Sequence, residues 1–241
     1  MTRRLILIAA FVTLSGLAGV ASAKRAAPAS PAPDLTVVEL FTSQGCSSCP
    51  PANANLLALS SRPDLLTLSW GVTYWDQLGW KDTFGHDAYT RRQRDYQRGL
   101  GTDNVWTPLV VVDGRRHVVG QRMAQIQALI DAHQPLPGPA VVIRNGGVGL
   151  AGGTAPSAPA DVWLVRYEPT PIEVPVARGE NGGRTLPHAS VVRELVRLGE
   201  WRGSTVGYRL PSSSRPELRT AVLVQAPNGG PILAAARAQA S

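Results

Sequence analysis

The only two cysteines of this 241-residue chain stand three positions apart, in Glu39-Leu40-Phe41-Thr42-Ser43-Gln44-Gly45-Cys46-Ser47-Ser48-Cys49-Pro50-Pro51. An apolar run, Leu35 to Phe41, precedes them and reads as a buried parallel strand. A helix-forming run, Ala52 to Leu59, follows and stops before Arg62-Pro63. The pair therefore occupies a strand-to-helix passage that puts the two sulfurs one turn apart. As a staple it is weak, since a four-residue ring is worth about 2 kcal/mol against about 4.7 for a 100-residue loop. As a metal half-site it lacks partners, because His86, His117, His133 and His188 show no paired spacing. A redox use asks only that the attacking thiol become a thiolate, which a helix amino end favours. Cys46 is expected to be the exposed, attacking thiol and Cys49 the more buried, resolving one. Pro50 and Pro51 suit a first helical turn but disfavour helix in the residue before them, so the helix is expected to begin at Pro50 or later.

Residues 1–23 read as a secretory signal. Arg3 and Arg4 precede the apolar stretch Leu5 to Val20, and Ala21-Ser22-Ala23 supplies a small-x-small cleavage site. Thr2 to Leu7 also fits a twin-arginine signal, so the export route stays open. The apolar stretch is short for a membrane span and no second one follows. The expectation is a periplasmic or secreted protein with no stable span, in a compartment where disulfides persist. Residues 24–34 read as an Ala/Pro-rich leader. The net charge of +7 comes from scattered arginines without a basic helix face or interleaved aromatics, so no nucleic-acid partner is expected.

Further along, Leu65 to Val72 reads as a strand and Asp87 to Leu100 as a helix. Leu109–Val112 and His117–Val119 flank Asp113-Gly114, a hairpin signal. Met123 to His133 has helical spacing and ends before Pro135. Composition changes at Pro135–Pro139, which places a boundary between residues 35–137 and 138–241. Beyond it, Ala140–Arg144, Val162–Tyr167, Ile172–Val176, Val206–Leu210 and Ala221–Gln225 read as short strands of a β-rich accessory domain. Ser190 to Leu198 fits a strand or a short helix equally.

A strand, then Cys-x-x-Cys leading into a helix, then a Thr-Pro before a hairpin, resembles the thioredoxin fold. More closely, the chain is similar to a bacterial family of exported thioredoxin-like proteins catalogued as domain of unknown function 1223. The matching stretches are Val38–Pro51, Tyr74–Asp82 (YWDQLGWKD), Arg91–Tyr96 (RRQRDY), Thr107–Gly114 (TPLVVVDG), Arg178–Pro187 (RGENGGRTLP) and Val191–Trp201 (VVRELVRLGEW). One departure is Gly71-Val72-Thr73, where the family pattern has His-Val-Asp. The resemblance implies an α/β chain, with a thioredoxin-like domain followed by a smaller β-rich domain. It also implies a cis-proline at Pro108, preceded by Thr107 whose backbone pairs with a substrate strand beside the cysteines. Glu39 would be the buried carboxylate that takes the resolving thiol's proton, although one extra residue separates strand and cysteine here. An edge glutamate facing water is the alternative.

Among the remaining features, Trp70, Tyr74, Trp75, Trp80 and Trp106 form either an aromatic wall for a substrate or ordinary core. Asp76, Lys81 and Asp82 would stand at its rim. The Arg178–Arg184 stretch, with Glu180 and Asn181, either closes over the cysteines or is a solvated turn. The expected activity is thiol–disulfide exchange at Cys46 and Cys49, with Glu39 relaying a proton and Thr107, Pro108, Trp106 and Trp75 binding the substrate. That substrate is a protein or small-molecule thiol or disulfide. The chemistry needs no metal or organic cofactor, only an upstream redox partner. Two alternatives remain: a non-catalytic binding module with a structural disulfide, and a soft-metal carrier holding an ion such as Cu(I) on the same cysteines.

Overall fold

Strand β1 (Thr36–Thr42) is buried along its whole length, which is why it reads as a continuous apolar run rather than an alternating one. It is covered on both faces. Helices α1 (Pro50–Leu59) and α3 (Met123–Asp131) lie on one face, where Val38 and Leu40 meet Ala52, Leu56, Ile126 and Ile130. On the other face Val37 and Phe41 join a cluster with Tyr89 and Tyr96 of α2 (Asp87–Leu100). The computed structural model describes residues 34–239; the expected signal segment and the leader up to residue 33 lie outside them.

β1 is parallel to β2 (Leu65–Gly71) and antiparallel to β3 (Leu109–Val112), which pairs with β4 (Arg116–Val119), giving the order β2-β1-β3-β4. Asp113 and Gly114 turn the β3–β4 hairpin at φ of 51° and 63°, the left-handed pair that a tight hairpin needs. A 3-10 turn, Asp76–Leu78, lies between β2 and α2. Two short strands, β5 (Val141–Arg144) and β6 (Gly147–Leu150), follow α3, and residues 137 and 138 lie between α3 and β5. Then come β7 (Ala160–Tyr167), β8 (Ile172–Val176), β9 (Arg184–His188), β10 (Val192–Trp201), β11 (Val206–Arg209), β12 (Arg219–Gln225) and β13 (Ile232–Arg237). They form an antiparallel sheet β10-β7-β12-β13, a three-stranded sheet β11-β6-β5 and the pair β8-β9.

This architecture corrects the expected fold class. Among the described residues thirteen strands in four sheets outnumber three α-helices, so the protein is mainly β, and an α/β thioredoxin-like domain followed by a smaller β-rich domain is not what forms. The reason lies in the core. Val165, Tyr167, Val192, Ala221, Leu223 and Ile232 pack into the same cluster as Val37, Phe41 and Trp70. Main-chain bonding joins the sheets as well, since Ser69 N donates to Ser190 O at 2.9 Å. Of the stretch Ser190 to Leu198, the part from Val192 onward resolves as strand, not helix, because Leu195 and Val196 pair with Val165 and Leu164 of β7.

Candidate functional site

Cys49 is the residue immediately before α1, and Pro50 and Pro51 fill the first helical positions, where a missing N–H costs nothing. Cys46 N donates to Ser43 O, and Cys49 N donates to Cys46 O at 3.1 Å, so the two cysteines lie on consecutive tight turns. They are joined as a disulfide. Both are fully buried, which corrects the expectation that Cys46 is exposed; Ser47 and Ser48 between them face solvent. The Ser48 hydroxyl lies 3.3 Å from Cys46 Sγ.

The turn that carries the disulfide is held from three directions. Asp82 accepts the main-chain N–H of Gln44 at 2.7 Å, while the Gln44 side chain donates to Thr83 Oγ1 and accepts from Trp80 Nε1. Burial pushes the Asp82 carboxyl up to about 6, aided by the nearby Asp76 and opposed by the N–H groups of Gln44 and Phe84. Asn181 donates from Nδ2 to Gln44 O and Cys46 O, each at 2.9 Å, and the Glu180 carboxylate accepts the Ser47 N–H at 2.9 Å. Hydrogen bonds from Ser47 hold the Glu180 carboxyl below its ordinary range. On the third side Gln121 Nε2 donates to Ser48 O at 2.8 Å.

Trp75 and Thr107 are brought together beside this turn. The Trp75 indole N–H donates to Thr107 Oγ1 at 2.8 Å, and a Cβ built on Gly45 would lie 3.4 Å from the Trp75 Cβ. The Thr107–Pro108 peptide bond is cis. Pro108 reaches the first turns of α1 through Gly120, where an added Cβ would lie 2.8 Å from that of Ala52 and 3.1 Å from that of Pro108.

Two expected residues point elsewhere. The hydrogen bonds of the Glu39 carboxylate go to Arg92 (Nε at 2.7 Å, Nη2 at 3.1 Å) and to the Tyr96 hydroxyl. Arg92 also bonds Gln225 and lies over the Trp70 and Tyr96 rings, on the sheet face away from α1. Trp106 packs edge-on to His117 at 5.5 Å, and its carbonyl accepts from Gln93. Gly71, the first residue of the family departure, packs so closely that a Cβ there would stand 2.7 Å from the Phe84 carbonyl carbon.

Behind the disulfide lies a buried polar chain. The Thr42 hydroxyl donates to Asn53 Oδ1 at 2.9 Å, and Asn53 Nδ2 lies 3.4 Å from His188 Nδ1. Burial lowers the His188 pKa to about 4, so the ring is neutral at ordinary pH. His188 was visible in the sequence only as a histidine without paired spacing. Gln44 and Asn53 gave no signal there, since their partners stand 11 to 137 positions away.

The family described as "Protein of unknown function (DUF1223)" matches residues 37–225, a span that includes every residue of this site. Among solved structures, protein AGR_C_4864 from Agrobacterium tumefaciens is similar at 31% identity with a TM-score of 0.71, over 86% of this chain and 96% of that one. HBP35 of Porphyromonas gingivalis is similar at 12% identity with a TM-score of 0.55, over 85% of this chain and 74% of that one, a likeness of fold alone. No curated protein matches the chain.

Proposed function

The chain belongs to the DUF1223 family, and on that footing we propose that it is an exported thiol–disulfide exchange protein working through Cys46 and Cys49. The observation that carries this reading is the disproportion between what the disulfide constrains and what holds it. The ring spans four residues, worth about 2 kcal/mol to the fold, yet Asp82, Gln121, Glu180 and Asn181 converge from three distant segments on its turn. Cys49 also caps the amino end of α1, where the positive end of the helix dipole favours a thiolate.

In the oxidising direction a substrate thiolate attacks Cys46 Sγ. A substrate–Cys46 disulfide forms, the Cys46–Cys49 bond breaks, and Cys49 leaves as a thiolate. A second substrate thiolate attacks the substrate sulfur of that mixed disulfide, and Cys46 leaves as a thiolate. Two substrate thiols have then become one disulfide, and the reduced pair passes its two electrons to an upstream redox partner. The reverse sequence reduces a substrate disulfide. Thr107, ahead of the cis Pro108, offers its main chain to a substrate strand, with Trp75 as the adjoining wall.

The test is trapping. Cys49→Ser should accumulate a mixed disulfide through Cys46 with a peptide disulfide, one peptide sulfur leaving as a thiolate, and Cys46→Ser should abolish exchange while the fold persists. Exchange that survives in Cys46→Ser would refute the mechanism. The full burial of both sulfurs favours a second reading, a binding module whose disulfide is permanent. That reading predicts no trapped species from Cys49→Ser.

A further inference from the structure

Resting on the exchange reading, we infer that residues 178–184 form a gate over the disulfide and that Asn181 is its latch, a positioning residue for Cys46 that selects reaction partners by size. Asn181 is fully buried although it belongs to a glycine-rich polar stretch. Its Nδ2 is shared between the carbonyls of Gln44 and Cys46, and its Oδ1 accepts from Arg184 Nη1 at 2.9 Å. Its neighbour Glu180 bonds the next amide, that of Ser47, from the protein surface. One loop from across the chain therefore grips the backbone on both sides of Cys46.

Exchange requires direct approach of an attacking sulfur, and neither Cys46 nor Cys49 has accessible surface with the loop in place. The cover must move. Gly179 and Gly183 flank the gripping residues at φ of 76° and 79°, and glycine changes backbone wells at the lowest cost, so the swing is absorbed there. The rest of the site stays put when the latch lifts. Asp82 still holds the Gln44 N–H and Gln121 still holds the Ser48 carbonyl, so the cysteine turn keeps its shape while its outer side opens. A small opening admits a compact reagent before it admits a folded protein.

The experiment compares second-order rate constants for reduction of the Cys46–Cys49 bond by a small phosphine, tris(2-carboxyethyl)phosphine, and by a folded protein dithiol. Asn181→Ala should raise the protein-dithiol constant about tenfold or more, the worth of one or two buried hydrogen bonds, and the phosphine constant by clearly less. Glu180→Ala, a surface change that spares the fold if Asn181→Ala does not, should show the same bias at about threefold. Unchanged constants in both variants, or equal rises with both reductants, would overturn the gate. Failure of the exchange reading looks different, because it appears as no mixed disulfide in Cys49→Ser, whereas these rates need only a reducible bond.

Discussion

The Asp82 carboxylate accepts the main-chain N–H of Gln44 at 2.7 Å, two residues before Cys46 and across a separation of 38 positions. Its other oxygen accepts from Phe84 N, also at 2.7 Å. The turn that enters the disulfide is thus shaped by a buried carboxylate whose protonation lies near pH 6.

That carboxylate and His188 pull stability in opposite directions on acidification. Asp82 is raised from 3.8 to about 6 in the folded protein, so its contribution is complete below the unfolded value and lost as pH rises through 6. His188 is lowered from 6.5 to about 4, so its contribution is complete above 6.5 and lost as pH falls through 4. The wild type should show the two offsetting each other within that window. Urea unfolding of Asp82→Asn should reveal a loss relative to wild type on the order of 2 kcal/mol between about pH 7 and about pH 4.5. His188→Gln should show a relative gain over the same interval. Parallel profiles for all three proteins would contradict both assignments.

Glu39 is predicted to matter for folding rather than for proton transfer. Its partner Arg92 is buried with it, and the Glu39 charge helps hold the guanidinium pKa above its ordinary value despite burial. Glu39→Gln leaves that charge without a counterion, at an expected cost of about 3–5 kcal/mol in chemical denaturation. The double replacement Glu39→Leu with Arg92→Leu should recover much of the loss. The pH dependence of the cysteine pair's potential should be unchanged in Glu39→Gln; a change there would restore the carboxylate as a proton acceptor.

Reducing the disulfide should cost the fold only about 2 kcal/mol, read as the shift in urea stability with and without a dithiol. Gln44→Ala should cost as much or more, about 2–4 kcal/mol, because it strands the Trp80 indole N–H and empties a buried position. A Gln44→Ala protein as stable as wild type would mean that these hydrogen bonds do not organise the turn.

Local patterns carried much of the fold into view. Asp87 to Leu100 is helical over those residues because Asp87 and His86 start it and Gly101, at φ 66°, ends it. The Asp113-Gly114 hairpin was legible for the same local reason. Three strands escaped notice. β6 is half glycine, β9 grows out of a glycine-rich loop and contains Pro187, and β13 is alanine-rich, a composition that favours helix until Ala234 and Ala236 pair with Val224 and Val222. The overall class was misjudged because the core that joins the sheets is built from contacts between distant segments, which no local period reports. At the site, Cys46 and Cys49 could be picked out by type and spacing, Trp75 as one of a group of aromatics, and Thr107 and Pro108 through the family resemblance. The structure adds what residue types do not reveal: Arg92, 53 positions away, claims Glu39, and Asn181, 135 positions away, claims the Cys46 carbonyl.

The most direct test of the exchange account is the reduction potential of Cys46–Cys49, measured by equilibrating the protein against glutathione or dithiothreitol. The account predicts a value between about −270 mV, where the pair acts as a reductant, and about −120 mV, where it donates its disulfide. A value below about −300 mV would mark a bond resistant to cellular thiols and would contradict it in favour of a permanent clip.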